Sequence, residues 1–370
     1  MGRYMRLAVL TVLSLDVFTL YTYFKLKNSN HDDSFIKNSR YFYTNQAEAE
    51  HKNVSSGQHS LILHGKKENE PITDELLDPT LVPPIGKLML NTDLILYNRV
   101  PKCGSTTIIN LMKACRRLMK ERYEIFNDIE PNQAHYLPTL AERLDFVRNS
   151  VDISKKKPLI YLRHLHFINY THYGEPMPLY INIIRDPVEH FISNYYYLRH
   201  GFANAKNGAN ATKWNHSHVV DNDERDVTLE ECINKQYKTC AKPYSDLIAF
   251  FCGNDSWCRK RDKRALAAAK ENVKKYYLVV GVLERFDDTL TMFEKILPQY
   301  FKYIRIVYKR NQKTLLERSK TKNKSADPQQ VRDYLAKHLA PEIELYKFVV
   351  DLMDTRLSVL KNLNTADIEL

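Results

Sequence analysis

The stretch Leu94-Ile-Leu-Tyr-Asn-Arg-Val-Pro-Lys-Cys-Gly-Ser-Thr-Thr107 passes from an apolar run into a tight turn, and Ile108-Ile-Asn-Leu-Met-Lys-Ala-Cys115 follows with helical character. The order reads as strand, anion-binding loop, helix. Gly104 lets the backbone reverse direction. Ser105, Thr106 and Thr107 bring hydroxyls and the unpaired amides of a first helical turn to one spot, the geometry that holds a phosphate. Lys102 adds a mobile cation, and Cys103 reads either as a reactive thiol or as a small residue filling the turn.

A Walker loop needs Gly-x4-Gly-Lys-Ser/Thr, whereas here the lysine precedes the loop's only glycine. Magnesium-dependent phosphoryl transfer is therefore disfavoured. A lysine just before Gly-Ser-Thr suits a donor whose transferred group carries a single negative charge, so that a cation on the bridging oxygen replaces a metal. The sulfuryl group of PAPS fits that description, with no metal required. Taken alone, the loop also fits an ordinary strand-to-helix connection with polar caps.

Pro178-Leu-Tyr-Ile-Asn-Ile-Ile-Arg-Asp-Pro187 is a second buried-type strand, and residues 188–200 follow with helical spacing. Arg185 at the strand's end and Ser193 two turns into the helix suit a second phosphate, the 3′-phosphate of PAPS. Residues 139–151 read as a helix and 158–162 as a strand that delivers Arg163-His164-Leu165-His166. Alternation sets His164 and His166 on one face of an extended segment, where a histidine serves either as a base or as packing. Further helix, strand and helix patterns at 264–275, 277–282 and 286–297 continue the alternation into a three-layer α/β sandwich. The aromatic and cationic run 193–200 suits either sugar contact or helix packing.

Four motifs together resemble the uronyl 2-O-sulfotransferases: Tyr97-Asn-Arg-Val-Pro-Lys-Cys-Gly-Ser-Thr, Tyr180-Ile-Asn-Ile-Ile-Arg-Asp-Pro-Val, Phe250-Phe-Cys-Gly and Leu278-Val-Val-Gly-Val-Leu-Glu. The resemblance spans about residues 90–308. Lys-Cys-Gly-Ser and Arg-His-Leu-His look more like the dermatan/chondroitin branch, with its Pipe-type relatives, than the heparan sulfate branch. It implies a P-loop-like sulfotransferase fold with a mostly parallel sheet flanked by helices. It further implies His164 as the base, Lys102 at the leaving phosphate oxygen, the turn from Lys102 to Thr107 with Arg185 and Ser193 on the donor, and Lys320 and Thr321 near its 3′-phosphate and adenine. Arg99 and His166 fall on the acceptor side, and the resemblance also allows a homotrimer.

The chain has 370 residues, 44% of them apolar, with a formal net charge of +11. That is enough for one sizeable catalytic core and favours a polyanionic partner. No zinc-finger, RNP or basic-heptad pattern accompanies the charge; charge alone leaves a glycosaminoglycan and a nucleic acid about equal, and the apolar N-terminal segment and the cysteines set the expectation of a glycosaminoglycan rather than a nucleic acid. Proximity pairs Cys232 with Cys240 and Cys252 with Cys258, one of three pairings four cysteines permit, and the spacings also resemble the family. An oxidising compartment explains them better than a metal.

Residues 7–24 are mostly apolar, about 27 Å as a helix, and read as a signal anchor despite Asp16. Sequons at Asn53, Asn169, Asn210, Asn215, Asn254 and Asn323, with the cysteines, set the following chain in the secretory lumen. The expected organisation is a cytoplasmic tail (1–6), a transmembrane helix (7–24), a polar stem (25–88) and a catalytic domain (89–370), as a type II protein of the Golgi membrane. A basic stretch at 309–324 reads as a donor-covering segment or a solvated loop, and residues 343–360 carry a helical apolar stripe.

Overall fold

The first described strand, β1 (Leu90–Asn98), is apolar over its second half because both faces are covered: Leu94, Ile95, Leu96 and Tyr97 are fully buried. The computed structural model describes residues 89–128, 135–201, 224–321, 324 and 327–366. Four more strands join β1: β2 (Glu124–Asn127), β3 (Leu159–Arg163), β4 (Met177–Ile184) and β5 (Tyr277–Val282). Their order is β2-β3-β1-β4-β5, and every pairing is parallel. All residues of β3 and β4 are buried, as a sheet covered by helices on both faces requires.

The helices are α1 (Ser105–Leu118), α2 (Leu140–Ser154), α3 (Pro187–His200), α4 (Leu229–Asn234), α5 (Leu247–Cys252), α6 (Lys263–Tyr276), α7 (Phe286–Ile296), α8 (Pro298–Phe301), α9 (Ile304–Ser319), α10 (Gln329–His338) and α11 (Ala340–Ala366). Local chemistry sets several starts. Thr139 and Glu142 form a capping box on α2, and Asp186 accepts from the Val188 and Glu189 amides ahead of α3, whose first residue is Pro187. The outer side of α3 buries Val188, Ile192, Tyr195 and Tyr196 in a cluster with α4 and α10. For these tyrosines, packing prevails over sugar contact.

The chain leaves β1 toward β2 on one side of the sheet and leaves β4 toward β5 on the other. Between the C-terminal ends of β1 and β4 the connections diverge, opening the crevice where ligands of open α/β sheets bind. Register pairs Tyr97 with Ile181 and Asn98 with Arg163, bringing the loops after β1, β3 and β4 to one edge. Buried Asn98 fixes that edge: its amide donates to the Leu165 carbonyl (3.1 Å) and the Tyr277 hydroxyl (2.8 Å).

The basic stretch differs from its expectation as a loop. Most of it is α9, which buries Ile304, Val307, Tyr308 and Leu315 at helical intervals and turns several of its cations outward. Cys232–Cys240 and Cys252–Cys258 are disulfides, as spacing suggested, while Cys103 and Cys115 are free and buried. The expected anchor and stem at 7–88 lie outside the described residues. Among the described residues, no helix is long and apolar enough to cross a membrane.

Candidate active site

The β1–α1 turn is built around two left-handed residues, Lys102 (φ 59°) and Gly104 (φ 79°). The conformation costs a lysine about 1 to 2 kcal/mol, strain the surrounding structure must hold. At Gly104 a Cβ would stand 2.7 Å from Leu283 Cδ1, so any side chain there would have to displace that leucine as well as adopt a left-handed backbone. Helix α1 has no side-chain cap, and its first backbone bond runs from Ile108 N–H to the Gly104 carbonyl (3.2 Å). The amides of Ser105, Thr106 and Thr107 therefore precede the helical ladder and form an N-terminal anion cradle.

Two contacts from α3 hold this turn. His190 Nε2 donates to the Pro101 carbonyl (2.9 Å), and the Lys102 ammonium stands 3.7 Å from the centre of the Tyr197 ring. Burial, helped by the Arg185 charge, pushes Lys102 down to about 7. Arg185 donates to the Lys102 carbonyl (3.4 Å) and to Glu189 (3.3 Å), while Glu284 lies 3.9 Å from its Nε. Glu189 also accepts from Lys324 (2.8 Å) and Arg332 (2.7 Å). Burial alone would raise the Glu189 carboxyl, but those two cations prevail and hold it at about 2. Ser193 Oγ lies 3.4 Å from Thr321 Oγ1, both residues buried, whereas Lys320 is exposed.

His164 lies on the other flank of the crevice, after β3. Its Nδ1 is 2.8 Å from the Arg99 carbonyl, which only accepts, so Nδ1 carries the proton and Nε2 keeps its lone pair. Burial first, then the Arg99 charge, lower it to about 3, so the ring is neutral at pH 7. Arg99 Nε is itself buried without a hydrogen-bond partner among the described residues.

The sequence residues thus converge as two groups on one sheet edge: Lys102, Gly104 to Thr107, Arg185, Ser193 and Thr321 as a cationic and hydroxyl-rich donor set, and Arg99 with His164 beside it. That set fits a ligand with two phosphate groups: amides, hydroxyls and cations predominate, and two carboxylates, Glu189 and Glu284, flank Arg185. Cys103 differs, for its side chain is fully buried with the thiol pushed up by desolvation, so it fills the turn and offers only backbone. His166 differs too. Strand alternation ends at Arg163, and His166 is 2% exposed, packed edge-on against Phe250, with ring contacts running from His164 through His135 and Phe250 to it. Asn254 is buried, its side chain accepting from Leu137 N–H (2.8 Å) and donating to the Phe167 carbonyl (3.0 Å), which is at odds with a glycan on the folded chain. Asn169 is half-buried and caps a short 3-10 turn. Asn53, Asn210, Asn215 and Asn323 lie outside the described residues.

Sequence reasoning missed Glu189, Tyr197 and Arg332. Glu189 and Tyr197 lie four residues to either side of Ser193, and that spacing on one helix was the available signal.

An open parallel sheet with an anion-cradling first turn and a second cationic strand end fits a protein that binds a ligand with phosphate groups, and comparison with known proteins resolves its class. Residues 88–352 match the profile described as "Sulfotransferase family", to which the chain belongs, within its uronyl 2-O-sulfotransferase group. It is 33% identical over 272 residues to human uronyl 2-sulfotransferase, covering 72% of this chain and 64% of the relative; the mouse protein gives the same figures. It is 31% identical over 261 residues to heparan sulfate 2-O-sulfotransferase 1 of Xenopus laevis, covering 70% of each. The match thus spans slightly under two thirds of the uronyl relatives' length.

Proposed function

We propose that this chain transfers a sulfuryl group from PAPS to the 2-hydroxyl of iduronic or glucuronic acid in dermatan or chondroitin sulfate. One observation carries the reading. A neutral histidine of fixed tautomer and a half-buried lysine flank the same crevice, on either side of an uncapped helix start.

PAPS, when bound, supplies an activated sulfuryl group on a phosphate bridge. The amides and hydroxyls of Ser105, Thr106 and Thr107 hold the 5′-phosphate end, while Arg185, Ser193 and Thr321 hold the 3′-phosphate, with Lys320 at the exposed rim. His164 Nε2 takes the proton of the attacking hydroxyl. Lys102 neutralises the charge that develops on the departing phosphate oxygen. Negative charge brought into the crevice raises both groups, toward a stronger base at His164 and a fully charged ammonium at Lys102. Arg99 orients the acceptor.

The two disulfides, the sequons and the apolar run at 7–24 support a luminal catalytic domain on a Golgi signal anchor, with tail 1–6, stem 25–88 and catalytic region 89–370. Incubation with labelled PAPS and separate dermatan, chondroitin and heparan acceptors tests the function, with EDTA present and disaccharide analysis of products. The expected product is 2-O-sulfated uronic acid in the dermatan or chondroitin arm. Label in the heparan arm alone would reassign the polymer, and no label in any arm from protein that binds PAP would overturn transfer.

A further inference from the structure

Helix α3 meets the β1–α1 turn through His190 and Tyr197, and only the second contact involves the group that the transfer chemistry uses. A cation this close to the face of an aromatic ring is held by the ring's negative quadrupole, most strongly where water is excluded. The backbone from which the Lys102 side chain starts is held as well, in the left-handed region and by Arg185 at its carbonyl.

We propose that Tyr197 is a positioning residue for the transfer step, its ring face fixing where the Lys102 ammonium stands and keeping it protonated. The charged and titratable groups around Lys102 explain why such support is needed. Arg185, from the end of β4, repels it and burial disfavours its charge, while Cys103 in its own turn is neutral. His190 of α3 is also neutral, pushed down to about 4 by burial. Of the nearby carboxylates, Glu189 of α3 pairs with Arg185, Lys324 and Arg332, and Glu284 after β5 accepts from Asp186 N–H and Tyr346 and lies 3.9 Å from Arg185. The ring face therefore favours the charged lysine where burial and Arg185 oppose it.

This inference rests on the sulfotransfer reading for its rate arm only. Lys102 is titrated directly in the donor-free full chain by NMR of 13C-methylated lysines, its signal assigned by its loss in Lys102→Arg. Tyr197→Phe keeps the ring face and should titrate like the parent. Tyr197→Leu should titrate about one pH unit lower, a tenfold change in the protonation constant. The alkaline limb of kcat should move down by the same amount in Tyr197→Leu, with KM for PAPS nearly unchanged and Tyr197→Phe again like the parent. A Leu variant with the parental midpoint, or a Phe variant that behaves like Leu, overturns the proposal. Should Tyr197→Leu fail to fold, Tyr197→Phe with a progressively fluorinated ring keeps the shape while weakening the quadrupole. The midpoint should then fall with each fluorine, and a flat series overturns the proposal. If the parent neither binds PAP nor transfers sulfate, the functional reading fails while the titration still decides the role of Tyr197.

Discussion

The side-chain amide of Asn182 donates to both oxygens of Asn98, 2.7 Å to its carbonyl and 3.0 Å to its side chain, and so ties together the two strand ends whose loops form the crevice. Both residues are fully buried. Asn182→Ala leaves those two acceptors short of a donor, so it should cost about 1 to 3 kcal/mol of stability and lower turnover through misaligned loops. Chemical denaturation beside a sulfotransfer assay checks this. An unchanged midpoint and rate would mean that the strand ends hold without the pair.

That pair also shows where the sequence stopped being legible. The strand-turn-helix around Gly104, the Arg185 strand end and the parallel sheet all follow from patterns local to a few residues. Asn98 and Asn182 sit in apolar runs, and nothing near either one announces a partner 84 residues away. Strand β2 was missed for another reason: it is a four-residue edge strand with one neighbour, Phe126 is exposed, and its Glu124 is held by Arg116 and Lys157. The helical stretch α9 was hidden by its charge, because its exposed cations dominate the composition while four buried residues set its conformation. His166 lies three residues beyond the end of β3, where the alternation that paired it with His164 no longer sets its direction.

Stability should fall in acid over two windows that overlap below pH 4.5, the first of which is read alone above it. Burial holds His164 at about 3 and His166 and His190 at about 4, whereas in the unfolded chain they protonate near 6.5. Below pH 6.5 the unfolded state therefore binds more protons, and each histidine removes up to about 1.4 kcal/mol per pH unit until its folded value is reached. Glu189, held at about 2, contributes stability that is present above about 4.5 and is lost as pH falls toward 2. Urea unfolding from pH 7 to 4.5 reads the first window, where His190→Gln should flatten the slope. A midpoint independent of pH across that range would contradict neutral burial.

Arg185→Ala should weaken PAP binding by about tenfold or more, the loss of a charge-assisted contact of roughly 1.5 to 3 kcal/mol. Glu189 would then retain Lys324 and Arg332, so the fold around α3 should survive. Calorimetric titration with PAP and a thermal melt on the same preparation separate the two effects. Unchanged affinity would remove Arg185 from the donor site.

Peptide mapping without reductant should recover Cys232 linked to Cys240 and Cys252 linked to Cys258, with Cys103 and Cys115 as thiols. The first bridge closes a short loop against the outer side of α3, in the cluster holding Val188 and Ile192. Replacing both of its cysteines by serine should cost about 2 to 3 kcal/mol by loop entropy, and PAP affinity should fall as α3 loosens. A variant that melts like the parent would show that the cluster holds α3 without the bridge.

His164 separates catalysis from packing. Its Nδ1–H is committed to the Arg99 carbonyl, so a base at this position acts through Nε2. His164→Ala should lower turnover by about 10² to 10⁴-fold while PAP affinity stays near the parental value, since the phosphates are held across the crevice by other groups. His164→Asn offers a discriminating control: an amide there can still donate to Arg99 but cannot take up a proton at neutral pH. If the ring serves as a base, the Asn variant should fold like the parent, bind PAP and stay as slow as the Ala variant. If it serves only to support the loop, Asn should recover much of both stability and rate. Saturated sulfotransfer rates, PAP titrations and melts on the two variants decide between these outcomes. Near-normal turnover in a well-folded His164→Ala protein would leave the donor site standing and move the base elsewhere on the sheet edge.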